Sequence, residues 1–296
     1  MAGCLQRIGE EKTMIIGVID IGSNTVRLAV YDSENLEVIK NGVDYAGLIA
    51  YVDDGEISTQ GKKVLCSAVS KMKRLAQDAK CDKIIAFATA SLRDITDKEN
   101  LILEVLQRTG IKMEIISGEE EAQYDYLGLK LHYNIDSGAT FDLGGGSAQL
   151  ITFKDGQVMV NISKKIGALK LYKTFVKATF PTAREEEKIR EYVRGELSEF
   201  QSEKNEYAFA MGGAASAMKK LYRAIFGVKK EEFTIEEVKS FMNVPENTIK
   251  AVIPERLYTI RPAIIAILEI CRVLKTDRIK CVTCGVRDGV IYEIVK

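Results

Sequence analysis

Apolar and polar positions along the chain set out the same short pattern twice. Residues 15–31, IIGVIDIGSNTVRLAVY, run from an apolar stretch through an aspartate and a Gly-Ser-Asn turn into alternating positions. That pattern predicts a strand, a tight turn and an antiparallel return strand. Residues 139–153, ATFDLGGGSAQLITF, repeat it, and one offset aligns Asp20 with Asp142, Gly22 with Gly144, Leu28 with Leu150 and Tyr31 with Phe153. A third strand candidate follows each copy, LEVIKN from Leu36 and QVMVNIS from Gln157. Two halves that each open with a β-meander predict an internally duplicated α/β protein.

Between and after the copies the period changes. Residues 59–79 carry a helical apolar stripe through Val64, Leu65, Ala68, Val69, Met72, Leu75 and Ala76. KIIAFATA from Lys83 reads as a buried strand, followed by a helix over 98–109 and the strand KMEIIS. Ser117 and Glu120 then form a capping-box pair opening a helix to about Leu131. The second half predicts a charged helix over 183–203, a strand at YAFAMGG, an apolar helix over 262–274 and a strand at KCVTCGV. Residues 1–13 are charged and read as an extension, leaving halves over 14–133 and 134–296.

Composition narrows the chemistry. Among 296 residues there are 42 Lys+Arg and 42 Asp+Glu, so no bulk field favours nucleic acid or a membrane surface. One histidine, His132, excludes a His-rich metal centre and disfavours a histidine-based dyad. The six cysteines have no disulfide-framework spacing, and no apolar run reaches the about 18 residues of a membrane span. The opening residues lack the apolar middle of a signal peptide, so a reduced, cytoplasmic protein is expected. Catalysis would fall to carboxylates, basic side chains, hydroxyls, backbone amides or an oxygen-ligated metal.

The repeated Asp–Gly turns are the leading candidates. Glycine at a strand end lets successive amides converge on one anion, and an aspartate there can hold Mg²⁺ through its waters. A plain hairpin turn would use the same glycines for geometry alone. Glu119, Glu120 and Glu121 suit a helix N-terminus, Glu120 as the cap and Glu121 as the functional candidate. Arg93 in ATASLRD could meet a phosphate, Gly212-Gly213 could add a backbone site, and Arg287 in GVRDG is similar. Cys281-Val-Thr-Cys284 lacks a second metal-ligand pair and a helix start, so it reads as structural; His132 reads as incidental.

The segments VIDIGSNTVRL, FATASLRD, ISGEEEAQYDYLGL, FDLGGGSAQL, SKKIGALKL, AMGGAASAM, VIPERLYTIRPAIIAI and CGVRDGVIYE, in this order, resemble the Ppx/GppA exopolyphosphatase and guanosine pentaphosphate phosphohydrolase family. The resemblance spans residues 14 to about 294. It implies two actin-like (ribonuclease H-like) domains around a central cleft, and Mg²⁺-dependent release of orthophosphate from polyphosphate or pppGpp. It assigns Glu121 as the base for the attacking water, and Asp20 and Asp142 as metal or water organisers. Phosphate-binding positions carried over are Ser23, Asn24, Arg27, Arg93, Gly144, Gly145, Gly146, Ser147 and Arg256. A homodimer is common in the family.

Two departures qualify the resemblance. After DLGGGS the family usually has Thr-Glu, that glutamate being one of its catalytic-site acids, and here Ala148-Gln149 stands instead. Gln149 keeps the shape without the charge, so weaker metal affinity or water activation is expected. The longer members' C-terminal helical region with an HD-type domain has no counterpart in this sequence, which favours short polyphosphate or a nucleotide. A polyphosphate- or (p)ppGpp-binding regulator without turnover, and a kinase of the same superfamily, are the alternatives.

Overall fold

The computed structural model describes residues 13–295; the extension expected over 1–13 lies outside the described residues apart from Thr13. In the first half the meander β1 (Ile15–Ile21), β2 (Val26–Asp32) and β3 (Val38–Asp44) is followed by the short β4 (Val52–Asp53) and β5 (Glu56–Ile57). Helix α1 (Thr59–Asp78), β6 (Lys83–Ala88), α2 (Ala90–Arg93), α3 (Lys98–Thr109), β7 (Met113–Ile115) and α4 (Gly118–His132) complete it. The sheet order is β3-β2-β1-β6-β7, with β6 parallel to β1 and β7 parallel to β6.

The second half repeats this plan. Its meander is β8 (Gly138–Leu143), β9 (Ala148–Lys154) and β10 (Gln157–Lys164), followed by α5 (Ala168–Phe175), α6 (Ala183–Glu196), β11 (Ala208–Met211) and α7 (Gly212–Phe226). Then come β12 (Glu232–Thr234), α8 (Ile235–Ser240), α9 (Glu246–Val252), α10 (Ile260–Val273), β13 (Arg278–Cys281) and α11 (Val286–Val295). The order β10-β9-β8-β11-β13-β12 matches the first sheet strand for strand, with β12 added at the edge. The charged helix ends at Glu196 rather than near 203, where Leu197 turns inward and is buried. The last strand stops at Cys281, so Cys284 lies in the loop beyond it.

Each sheet is covered on both faces. Outer helices α1 and α3 bury Leu65, Val69, Met72, Leu101 and Val105 against the first sheet, and α5–α10 cover the second. The inner helices are exchanged. Helix α4, which follows the first sheet, lays Ala122, Tyr126 and Leu129 on Ile151, Phe153, Phe209 and Met211 of the second half. Helix α11, at the end of the second, returns Val286, Val290 and Ile291 to Ile16, Val18, Tyr31 and Phe87 of the first.

The two inner helices meet at glycines. A Cβ on Gly128 would lie 2.5 Å from the Gly285 carbonyl oxygen, and one on Gly289 only 1.9 Å from that of Tyr124. Backbone cannot retreat as a side-chain tip can. Gly289→Ala is therefore expected to lower the unfolding free energy by about 1–3 kcal/mol, outweighing the up to ~1 kcal/mol that alanine adds to a helix. A reduced urea midpoint at unchanged m-value would register it.

Candidate active site

Both Asp–Gly turns close in the same way. The Gly22 N–H donates to Thr25 O at 2.9 Å, and the Gly144 N–H to Ser147 O at 3.0 Å. Their outward carbonyls are occupied: Asn24 O accepts from Gly47, and Ser23 O from Ile49. In the second loop, Gly144 O accepts from Ala168, Gly145 O from Leu169 and Lys170, and Gly146 O from Gly167, all at the start of α5. In a trans peptide the N–H opposes its C=O, so the amides of Gly145, Gly146 and Ser147 point away from α5. These loops face one another across a cavity of about 300 Å³ lined by Ser23, Asn24 and residues 144–147.

Gly167 makes the second loop possible, because a Cβ there would lie 2.3 Å from the Gly146 carbonyl carbon and 2.5 Å from that of Gly145. At the far wall Gly212, with φ of +80°, opens α7; a Cβ on it would meet Asp142 Oδ1 at 2.0 Å. A Cβ on Gly213 would lie 1.7 Å from Arg256 Nη2. The Gly-Gly pair thus lets an aspartate and an arginine approach the start of one helix.

Of the residues singled out in the sequence, Asp20, Ser23, Asn24, Arg27, Glu121 and Asp142 line this cavity, as do Gly144, Gly145, Gly146, Ser147 and Arg256. Arg93 and Gln149 do not. Arg93, at the end of α2, donates Nε to Ile116 O at 3.0 Å and pairs its Nη2 with Glu121 Oε2. It borders a second cavity of about 280 Å³ that shares Ser23, Gly146 and Ser147 with the first and adds Lys165 and Lys170. Gln149 is buried opposite Asp142 in the β8–β9 register, donating Nε2 to Ser147 Oγ at 2.8 Å and Ser163 Oγ at 3.0 Å. In the first hairpin Arg27 holds the equivalent place opposite Asp20.

The capping box at the start of α4 forms: Ser117 Oγ accepts from the Glu120 N–H at 3.0 Å, and Glu120 Oε2 from the Ser117 N–H at 2.7 Å. Capping occupies Glu120, and Glu121 turns inward at 8% exposure. Burial pushes the Glu121 carboxyl up to about 8 despite the opposing pull of Arg93. Asp142 is raised to about 6, by burial against the pull of Arg27 and with a push from Asp20. Asp20 is raised as well, by burial against Arg287 and Arg27. Arg256 is lowered by burial and by Arg27. Four carboxyls counting Asp125 on α4, and arginines from both halves, therefore share one poorly hydrated layer.

The remaining singled-out residues sit apart from this layer or serve the fold. Cys281 and Cys284 are buried and burial pushes their thiols up to about 12, which suits packing rather than thiolate chemistry. His132 lies 3.5 Å from Asp288 at the exposed end of α4. Sequence reading missed Asp125, although its i+4 spacing from Glu121 was visible, and missed Gly167, whose constraint comes from a loop distant in sequence.

Residues 32–296 match the Ppx/GppA phosphatase family. The chain belongs to that family. Exopolyphosphatase 1 of Mycobacterium tuberculosis is 28% identical over 194 residues, 63% of this chain and 56% of the relative. A bifunctional 3-dehydroquinate synthase/phosphatase of Fusobacterium nucleatum is 29% identical over 53% of this chain and 26% of its own length. The chain thus spans about half the length of the exopolyphosphatase it matches. The crystal structure of the Aquifex aeolicus Ppx/GppA family member superposes with a TM-score of 0.81 at 24% identity, covering 96% of this chain and 98% of that one. An exopolyphosphatase from Cytophaga hutchinsonii does so at 0.84 and 19% identity, over 95% and 97%. The duplicated, two-sheet arrangement is accordingly the actin-like Ppx/GppA fold. Among the described residues no helix is long and apolar enough to cross a membrane.

Proposed function

We propose that this Ppx/GppA protein hydrolyses the terminal phosphoanhydride bond of inorganic polyphosphate or of pppGpp and releases orthophosphate. The observation that carries this reading is the convergence of two amide-lined glycine turns on one cavity with a buried glutamate between them. Phosphoryl transfer asks mainly for alignment and charge neutralisation. The loop amides would cradle the terminal phosphate, with Arg27 and Arg256 countering its charge. Glu121 would orient a water molecule and take its proton as the water oxygen bonds to phosphorus and the bridging P–O bond breaks. Arg93 would act through Glu121, fixing the direction of that carboxylate. The adjoining second cavity, where Lys170 stands beside the Lys165–Asp94 pair, Arg93 and Glu119, would be the path of a polyanion extending beyond the terminal phosphate.

A divalent cation fits this donor set. Asp142 Oδ1 is buried with no hydrogen-bond partner, and Asp20 and Asp142 line the same cavity. Among the described residues no three Asp, Glu, His or Cys side chains converge to hold a metal alone, which suits Mg²⁺ retaining most of its waters. Asp20 and Asp142 would hold it, and when bound it would offset charge on the transferring group.

Orthophosphate release from short-chain polyphosphate and from pppGpp with Mg²⁺ tests the reading, beside Glu121→Gln and Gln149→Glu. Release by the wild type that Glu121→Gln abolishes supports the hydrolase, and the faster substrate names its preference. Gln149 favours a second reading, a binding protein without turnover; release seen only in Gln149→Glu would establish that one. Silence in all three would overturn hydrolysis of these substrates. Gln149→Glu is also expected to lose about 1–3 kcal/mol of stability without metal, because it buries a charge directly opposite Asp142. A chemical denaturation curve in EDTA measures that loss.

A further inference from the structure

Two of the three cations that line the second cavity are already paired. Arg93 is held by Glu121, and Lys165 by Asp94, whose carboxylate lines the same cavity. The Lys170 ammonium, in the first turn of α5, has no hydrogen-bond or ion-pair partner among the described residues. The two pairs differ in setting. The Arg93 and Glu121 side chains are 20% and 10% exposed, whereas those of Lys165 and Asp94 are 61% and 55% exposed. The first pair belongs to the buried layer, and the second stands where the cavity meets solvent. It also joins the halves, because Asp94 follows α2 of the first and Lys165 follows β10 of the second. Among the described residues the Asp94 carboxylate has no partner besides Lys165, so nothing else in the fold calls for it.

A linear polyphosphate with its terminal phosphate at the glycine turns would pass Ser23, Gly146 and Ser147, which both cavities share. It would then meet half-buried Lys170 and, nearer solvent, the Lys165–Asp94 pair. At Lys170 a phosphate gains an attraction and displaces nothing. At Lys165 it must replace a carboxylate, and Asp94 is then left bare beside a polyanion. One attraction is exchanged for another and a repulsion is added. A pair this exposed is weak enough to be exchanged, yet the exchange brings no net affinity. Glu119 sets a further carboxylate on the same wall.

We infer that Asp94 sets the chain length beyond which polyphosphate binds no more tightly, by withholding Lys165 from the chain. This rests on the polyphosphate reading for the place of the terminal phosphate, and its test separates the two. Affinity for polyphosphates of defined length, from orthophosphate upward, is measured by calorimetry on the full chain in EDTA, where metal-dependent turnover is silent. Wild-type affinity should rise with length and level off where the chain meets Lys165. Asp94→Asn should extend the rise, binding chains beyond that length about two- to fivefold more tightly, with orthophosphate and shorter chains bound as before. Adding Lys165→Met to Asp94→Asn should restore the wild-type plateau. Glu203→Gln removes a carboxylate paired with Lys154 outside both cavities, and it should change nothing. An equal gain at every length, a gain that survives Lys165→Met, or no gain at all would overturn the inference, as would a protein that binds no polyphosphate. Orthophosphate release with Mg²⁺ on the same samples reports separately on hydrolysis. Release with unaltered affinities leaves the hydrolase standing without this role for Asp94, and the shifted plateau without release keeps the role in a protein that only binds.

Discussion

If Glu121 is the proposed base, Glu121→Gln is expected to lower orthophosphate release by about 10²–10⁴-fold, the range a positioned general base contributes, while leaving the cavity's shape intact. Glutamine can still accept from Arg93 and can still orient water, but it cannot take the proton. The pH dependence carries the sharper signature. Burial holds the Glu121 carboxyl up to about 8, so in the free enzyme the base is increasingly available as pH rises towards that value. The wild-type kcat/KM should therefore climb along a limb ending near pH 8, and the variant's residual rate should lack it. Stability moves in the opposite sense. The folded protein keeps this proton up to about 8, whereas the unfolded chain releases it near the ordinary value of 4.5. Between those values each rise in pH favours unfolding. Glu121→Gln removes that slope, so it should resist urea better than the wild type at pH 8, with the gap closing towards pH 4.5. A variant that keeps the limb would exclude Glu121 as the base, and one less stable at pH 8 would contradict the raised carboxyl.

Gly167→Ala has the next largest effect, and it acts without touching any charged group. Its new methyl would meet the carbonyl carbons of Gly145 and Gly146 at 2.5 and 2.3 Å, both backbone and both fixed by hydrogen bonds from the first turn of α5. The loop must move or α5 must lift. Either displaces the amides of Gly145, Gly146 and Ser147 from their shared focus, and misplacement on the order of 1 Å costs about 10²-fold in rate. The stability cost should stay within about 1–3 kcal/mol, typical of overpacking. A protein that melts a few degrees lower but has lost about two decades of kcat/KM is the expected result. Substrate protection against thermal melting should fall with it. Unchanged kcat/KM would mean that the second loop does not cradle the phosphate.

Much of this was legible in the chain because its causes are local. The two hairpins announce themselves through alternating apolar positions around Asp-x-Gly, and the Gly22 and Gly144 turns indeed close on Thr25 and Ser147 alike. Ser117 and Glu120 cap α4 as their spacing requires, which in turn explains why Glu121 is the acid that faces inward. What escaped was set by partners remote in sequence. Arg93 stands against Glu121 because α2 and α4 converge in space, something ATASLRD does not encode. Gln149 looks like a lost charge on paper, yet its amide holds two hydroxyls, one of them on β10. Asp125 shows its i+4 relation to Glu121, but its burial depends on Gly285 and Val286 near the end of the chain. The polarity of the charged helix outruns its end, because solvated residues continue the pattern after Leu197 has turned into the core.

The exchange of α4 and α11 separates the unit that repeats from the unit that folds. By repetition, each half is one meander with its crossovers; by burial, each sheet needs a helix from the other half of the polypeptide. A chain cut between residues 133 and 134 would leave Ile16, Val18, Tyr31 and Phe87 uncovered on one fragment and Ile151, Phe153, Phe209 and Met211 on the other. Neither fragment could be autonomous, whatever the symmetry of the sequence suggests. Mixed together, the two would be expected to complement one another, and the acids brought in by α4 would reach the second glycine loop only in the reassembled pair.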